Sequence, residues 1–400
     1  MTFRSIYVRQ DEDFHGLAGL YKKPGTISLN PTIFKKYNHH NIHQQYHLLH
    51  THLSFFLQST SMSSKKIIAV VGATGNQGSS VVHAFLQLPS TWTVRALTRN
   101  PSSANAQALA QKGCEVVKAD LEDPNSLAAA FEGVHAVFLN TDFWQPYAKA
   151  MGSGQYSREE ASKMAFDTEV MHATNAANAA AVAAKDTLER FVYSALGPMK
   201  KASGGKYPHC GHWDAKAAAA DYIEKEVPGL REKISFFYPT VYSTNSFLLP
   251  QQYPHLGGKD GQYTLLLPAP ITTHFQILRE RDSTGPFVRC LIEDEEPGLK
   301  LLAYDCEVDI SQAIEDWQAV TGKSASFVEN TEAEMHESTG LPYEVLDGPA
   351  FLAEYDFMAG VEGKVVKPAD LKKPVPGTSY KEILESRKMD DLIGNKHPEL

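Results

Sequence analysis

The chain has 400 residues, 42% of them apolar and 21% charged. These are globular proportions, with enough apolar material for one large or two ordinary domains. A net charge of −9 without a run of Lys or Arg argues against direct nucleic-acid binding, and no stretch approaches the roughly 20 apolar residues that span a bilayer.

Residues 1–61 have no sustained periodicity and bunch histidines at His39, His40, His43, His47, His50 and His52. His39, His43 and His47 would share one helical face, but no carboxylate or cysteine supports a metal site there. The apolar patch Leu53–Leu57 is short and far from the start, and Asp11, Glu12 and Asp13 sit early, so neither a secretory signal nor a transit peptide is expected. We read residues 1–62 as a largely disordered extension, with Met62 a natural start for the domain that follows. Cys114, Cys210, Cys290 and Cys306 are far apart and lack zinc spacing. A reduced, intracellular setting is expected: the cytoplasm, with the nucleus as alternative.

Ile67–Val71 suits a buried parallel strand. Gly72, Gly75 and Gly78 follow at three-residue spacing, a GxxGxxG turn rather than GxGxxG. Missing Cβ atoms permit a tight turn and close approach of backbone to a pyrophosphate. The turn and helix start, with Thr74, Asn76 and Gln77, would then present N–H groups to the phosphates. A helix is predicted over Ser79–Leu88 and a strand over Thr93–Leu97. Helix Gln107–Lys112, strand Glu115–Ala119, helix Leu127–Phe131 and strand Ala136–Asn140 follow. The alternation continues with helix Glu159–Lys185, strand Arg190–Ser194, helix Ala215–Lys225 and strand Ile234–Tyr238. This is an α/β pattern, a doubly wound parallel sheet over residues 63–240. Beyond residue 240 Pro, Gly and Tyr rise and the alternation stops. Gly257–Gly261 and Leu267–Ile271 read as loops, Asp309–Thr321 and Thr331–Thr339 as helices. We expect a smaller α+β substrate or partner domain over 241–400, with a strand near 301–305 rejoining the main sheet.

The second strand ends in Thr98-Arg99-Asn100, and no carboxylate occurs between Thr91 and Glu115. A carboxylate here would favour NAD; a basic residue accommodates the 2′-phosphate of NADP. Arg99 is therefore the expected 2′-phosphate ligand, with Asn100 and Ser102 as helpers. Asp120 and Leu121, after the third strand, are expected beside the adenine, although an aspartate shaping its own loop reads equally well. Strand carboxyl ends face the ligand crevice of open α/β sheets. Asn140, Thr141 and Phe143, after the fourth strand, should therefore line the nicotinamide half, with Trp144 there or in packing.

With these residues in place, the chain resembles the NmrA-like family of atypical short-chain dehydrogenases. The motifs are VVGATGNQG (70–78), VRALTRNP (94–101), GCEVVKADLED (113–123), VHAVFLNTDFW (134–144), FVYSALG (191–197), HWDAK (212–216) and FYPTVYSTN (237–245). The resemblance covers about residues 65–390. It implies a Rossmann domain preferring NADP and a small C-terminal domain. It also implies that Tyr238 and Pro239 pass the nicotinamide and that a helix starts near Asn245. Some relatives sense the nicotinamide pool and regulate a partner, including a transcription factor. Others are NADPH reductases.

Short-chain dehydrogenases use Ser, Tyr and Lys, the last two as Tyr-x-x-x-Lys on one helix. Ser194 stands in the serine position and Lys216 in the lysine position, but His212 replaces the tyrosine at i−4. A neutral imidazole is a poor proton donor and a nearby Lys⁺ discourages the imidazolium, although a protonated histidine can act as an acid near neutral pH. Tyr207 and Tyr222 lack the i−4 relation to Lys216, so Tyr242 is the best stand-in phenol. His209-Cys210-Gly211-His212 lacks the further ligands of a metal site. These residues favour an NADP(H)-binding redox sensor that regulates through a protein partner. An NADPH-dependent reductase of a small carbonyl, quinone or enone is the alternative. Intact Gly72, Gly75, Gly78 and Arg99 argue against a scaffold that has lost its ligand.

Overall fold

The computed structural model describes residues 65–253 and 261–394. The N-terminal extension with its histidines, and most of the 257–261 loop, lie outside the described residues. The described residues belong to one compact unit that begins at Lys65.

Strand β1 (Lys66–Val70) buries its last three residues, as a central parallel strand covered on both faces must. Helix α1 (Asn76–Leu86) follows; it starts at Asn76 rather than Ser79 because Gly75, in extended conformation, begins it without a side-chain cap. Then come β2 (Trp92–Thr98), α2 (Ala104–Gln111), β3 (Glu115–Lys118), α3 (Pro124–Phe131) and β4 (Ala136–Leu139). Helices α2 and α3 begin three residues before the expected starts, where Ser103 and Asp123 cap their first turns.

Helix α4 (Trp144–Gly152) was not foreseen; its start coincides with the Phe143-Trp144 pair. The long α5 (Arg158–Ala183) opens with a Ser157/Glu160 capping box. Its buried stripe is almost all alanine, at 161, 165, 173, 176, 177 and 180, and the one interruption is Glu169. Small side chains let α5 lie close against α7 (Gly211–Glu226), which follows β5 (Arg190–Ser194) and the short α6 (Met199–Ala202). Strand β6 (Ile234–Pro239) is buried throughout.

With β10 (Lys300–Ala303) and β13 (Val365–Val366), all pairings in the main sheet are parallel, in the order β13-β10-β6-β5-β4-β1-β2-β3. The chain reverses its direction of winding between β1 and β4, so a crevice opens at their carboxyl ends. Strand β10 pairs with β6, and β13 pairs with β10 at the edge. The remaining strands form two small sheets. One is β11-β9-β7, from β7 (Val241–Tyr242), β9 (His274–Leu278) and β11 (Cys306–Asp309); the other pairs β8 (Tyr263–Leu267) with β12 (Ala325–Glu329). Leu267 therefore ends a strand, and Asn245 lies in a turn rather than at a helix start.

Helix α8 (Thr284–Glu293) packs on α1, with Gly285 against Ser80. Helices α9 (Ile310–Thr321) and α10 (Glu332–Thr339) are capped by Asp309 and Thr331. Helix α11 (Tyr343–Leu352) reaches the start of α7. No helix among the described residues is long and apolar enough to cross a membrane.

Candidate functional site

The glycine turn lies at the crevice. Gly72 has φ +73° and Gly75 donates its N–H to Gly72 O at 2.9 Å, which closes the turn. Gly78 sits against that turn, where a Cβ would lie 2.1 Å from Gly72 O. Because Gly75 caps α1 without a side chain, the first-turn N–H groups are left for a ligand. Thr74 and Asn76 are exposed beside them, whereas Gln77 is 2% exposed. Gln77 Nε2 donates to the Tyr242 hydroxyl at 2.5 Å, and its Oε1 has no hydrogen-bond partner.

Arg99 stands exposed at the end of β2, and its Nη2 donates to Gln145 Oε1 of α4 at 2.9 Å. An exposed neutral partner is easily exchanged for a phosphate. Asn100 Oδ1 accepts from the Ser102 N–H at 3.0 Å and shapes the turn. Asp120 shapes its own loop as well, accepting from the Glu122 N–H at 3.1 Å while its N–H donates to Ser126. Leu121 O accepts from Asn175.

The carboxyl end of β4 holds a buried polar network. Lys216 Nζ lies 2.9 Å from Glu169 Oε1, 3.1 Å from Thr141 O, 3.2 Å from Thr141 Oγ1 and 3.4 Å from Asn140 Oδ1. Four acceptors for three N–H bonds saturate the ammonium from within. Thr141 Oγ1 also donates to Glu169 Oε1 at 2.8 Å and lies 3.4 Å from the Tyr193 hydroxyl. Burial and the Glu169 charge hold that phenol well above its ordinary pKa. Glu169 and Tyr193 escaped the sequence reading, yet a lone Glu at i+4 from Ala165 and i−4 from Ala173 was a readable signal. Ser194 is 0% exposed and its Oγ has no partner, so in this conformation the serine position is closed to a substrate.

His212 lies one helical turn before Lys216. Its ring Nδ1 and its backbone N–H both approach Glu344 Oε1, at 2.7 and 2.9 Å. Phe143 is buried and, with Trp144, flanks the imidazole, ring centroids 5.9 and 4.9 Å away. His209 repeats the pattern on Asp347, its N–H at 2.9 Å and its Nδ1 at 3.2 Å from Oδ2. Both histidines thus face carboxylates of α11, and no group of three His, Cys, Asp or Glu among the described residues could hold a metal.

The phenols lie elsewhere. Tyr242 bonds Gln77 at the glycine turn, and burial with the Glu280 and Glu169 charges pushes it up to about 12. It stays protonated and is tied to the turn, not to Lys216. Tyr207 donates to Glu354, with burial and that carboxylate pushing it up to about 12. Tyr222 accepts from Asn178. Tyr238 and Pro239 are buried at the end of β6, and burial first, then Glu224 and Asp221, raise the Tyr238 pKa.

The cradle at Gly78, the open start of α1 and the exposed Arg99 fit a dinucleotide with a 2′-phosphate. Sheet order, glycine turn and crevice define the class, a Rossmann-type α/β protein. Within it, the chain belongs to the NmrA-like family, whose model matches residues 64–346. It is 46% identical over 88 residues to ptmS of Penicillium ochrochloron, an NmrA-like family domain-containing oxidoreductase; the match covers 21% of this chain and 26% of that one. The aligned part is thus well under two thirds of that relative. Of the solved structures, NmrA, a negative transcriptional regulator, aligns with a TM-score of 0.56 at 18% identity, over 74% of this chain and 85% of NmrA. An NADPH-dependent quinone oxidoreductase of Escherichia coli, complexed with NADPH, aligns with a TM-score of 0.56 at 20% identity, over 79% and 98%. At such identities the two structures share the fold.

Proposed function

We propose that this chain is an NADP(H)-dependent oxidoreductase acting on a small carbonyl, quinone or enone compound. The observation that carries the reading is on α7: Lys216 is seated at the end of β4, and His212 one turn earlier is backed by a buried carboxylate. The nicotinamide, when bound, supplies or accepts a hydride. Gly72, Gly75 and Gly78 would admit the pyrophosphate to the start of α1, and Arg99 would take the 2′-phosphate. Lys216 would give up its longest contact, to Asn140 Oδ1 at 3.4 Å, to face the ribose beside Asn140 and Thr141. His212, protonated on both nitrogens, would give the Nε2 proton to the substrate oxygen and recover it from solvent. The oxidoreductase name of the relative and the NADPH of the quinone reductase support this reading.

Three results test it. Mixed with NADPH and a panel of quinones, enones and ketones, the protein should oxidise the cofactor continuously. His212→Gln should lower kcat by about 100-fold, the low end for a general acid, with little change in KM for NADPH. Absence of turnover with every acceptor would overturn the reading. Arg99→Ala should weaken NADP(H) binding by about 1–3 kcal/mol, the range for a lost charge-assisted hydrogen bond, and leave NAD nearly unchanged in calorimetry. Equal losses would remove Arg99 from the role.

A second reading rests on the saturated Lys216 and the closed Ser194. Here the chain holds the cofactor without consuming it and reports its redox state to a protein partner, in the cytoplasm or nucleus. Its signature is a tenfold or greater difference in affinity for oxidised and reduced cofactor with no turnover.

A further inference from the structure

The geometry points to Glu344 as the positioning residue of His212, a role that rests on the oxidoreductase reading of the same site. Glu344 lies outside every motif, on a helix 132 residues further along the chain, and its side chain is only 4% exposed. Three donors converge on it: the His212 N–H and ring Nδ1 on Oε1, and the Ser162 hydroxyl on Oε2 at 2.8 Å. Gly211 makes this approach possible, since a Cβ there would lie 2.5 Å from Ser162 Oγ and 3.3 Å from Glu344 Oε2.

One carboxylate oxygen that receives both the backbone and the ring of the same residue fixes the imidazole in one rotamer. It also fixes the tautomer. The Nδ1 proton stays on the carboxylate side, so Nε2 is the one ring atom through which His212 exchanges protons with a ligand, as in a histidine oriented by an acid. Trp144 and Phe143 flank the ring and restrict the directions from which Nε2 is reached. This supplies what the exchange of tyrosine for histidine removes: a donor held in register with Lys216. His209 and Asp347 make the same pair of bonds three residues earlier, but the His209 side chain is 44% exposed and lies before the first turn of α7; that pair ties α11 to the segment that leads into α7.

Glu344→Gln separates positioning from structure. The amide carbonyl still accepts the His212 N–H and caps the helix, while the charge behind the ring is lost. The full chain, labelled with ¹⁵N-histidine, should show the neutral His212 ring protonated at Nδ1 in long-range ¹H–¹⁵N spectra, the signal being identified by its loss in His212→Gln. With NADPH and 1,4-naphthoquinone, Glu344→Gln should lower kcat by about 10- to 100-fold and leave KM for NADPH within about twofold. A neutral wild-type ring protonated at Nε2, or a Glu344→Gln kcat equal to wild type, would overturn the assignment. If the wild type turns over none of the acceptors, the oxidoreductase reading fails by itself, and the tautomer alone decides whether Glu344 sets the ring.

Discussion

Lys216→Met is expected to cost about 3–5 kcal/mol of stability, the range for breaking a buried ion pair by removing one partner. Glu169 is 0% exposed, and only Thr141 would remain as donor to its Oε1; Oε2 already has no partner. The carboxylate would be left charged and desolvated, or would take up a proton. The intact pair is not strongly stabilising in itself, because desolvating both charges offsets most of their attraction. The double variant Lys216→Met/Glu169→Leu should therefore recover most of the loss. Urea unfolding of the two single variants and the double variant measures the coupling. Additive losses would show that the pair does not act as a unit. It follows that activity lost in a Lys216 variant would include the effect of instability.

Gly78→Ala is expected to abolish dinucleotide binding and to destabilise the chain by about 1–3 kcal/mol or more, as overpacking does. A Cβ at Gly78 would lie 2.1 Å from Gly72 O, 2.6 Å from Gly72 C and 2.9 Å from Ala73 Cα. All three are backbone atoms of the turn, so nothing flexible can give way. Helix α1 would have to move off β1, and its first N–H groups would leave the crevice. Gly75→Ala is the control: its Cβ meets only Gly72 O, at 3.3 Å, and its φ is −83°. It should fold nearly as well as wild type. Calorimetric titration with NADPH after each variant checks both. Retained affinity in Gly78→Ala would mean that the turn does not form the phosphate site.

The balance between sensor and reductase shifts with the structure. Read alone, His212 is a weak substitute for tyrosine. Set against Glu344 it is an oriented imidazole, which moves the reductase reading forward. Ser194 moves the other way, since complete burial withholds it from a substrate.

Much of this was readable locally. The alternation of strand and helix, the glycine turn and the strand ends that carry Arg99 and Asn140 each depend on residues close in sequence. Periodicity and missing Cβ atoms express such features directly. Helix starts differ from expectation where a side-chain cap, rather than the large apolar residues, sets the first turn, as at Ser103 and Asp123. The His-x-x-x-Lys pair follows from helical spacing alone.

The amino-acid sequence by itself determined the fold class, the glycine turn and the residue types offered at the carboxyl ends of the strands. Only the tertiary structure decided the state of those residues. Lys216 meets Glu169 from another helix, and His212 meets Glu344 from a helix 132 residues away. The physical reason is that a charge takes its character from whatever surrounds it within a few ångströms, and the long crossovers of a doubly wound sheet draw those neighbours from distant parts of the chain.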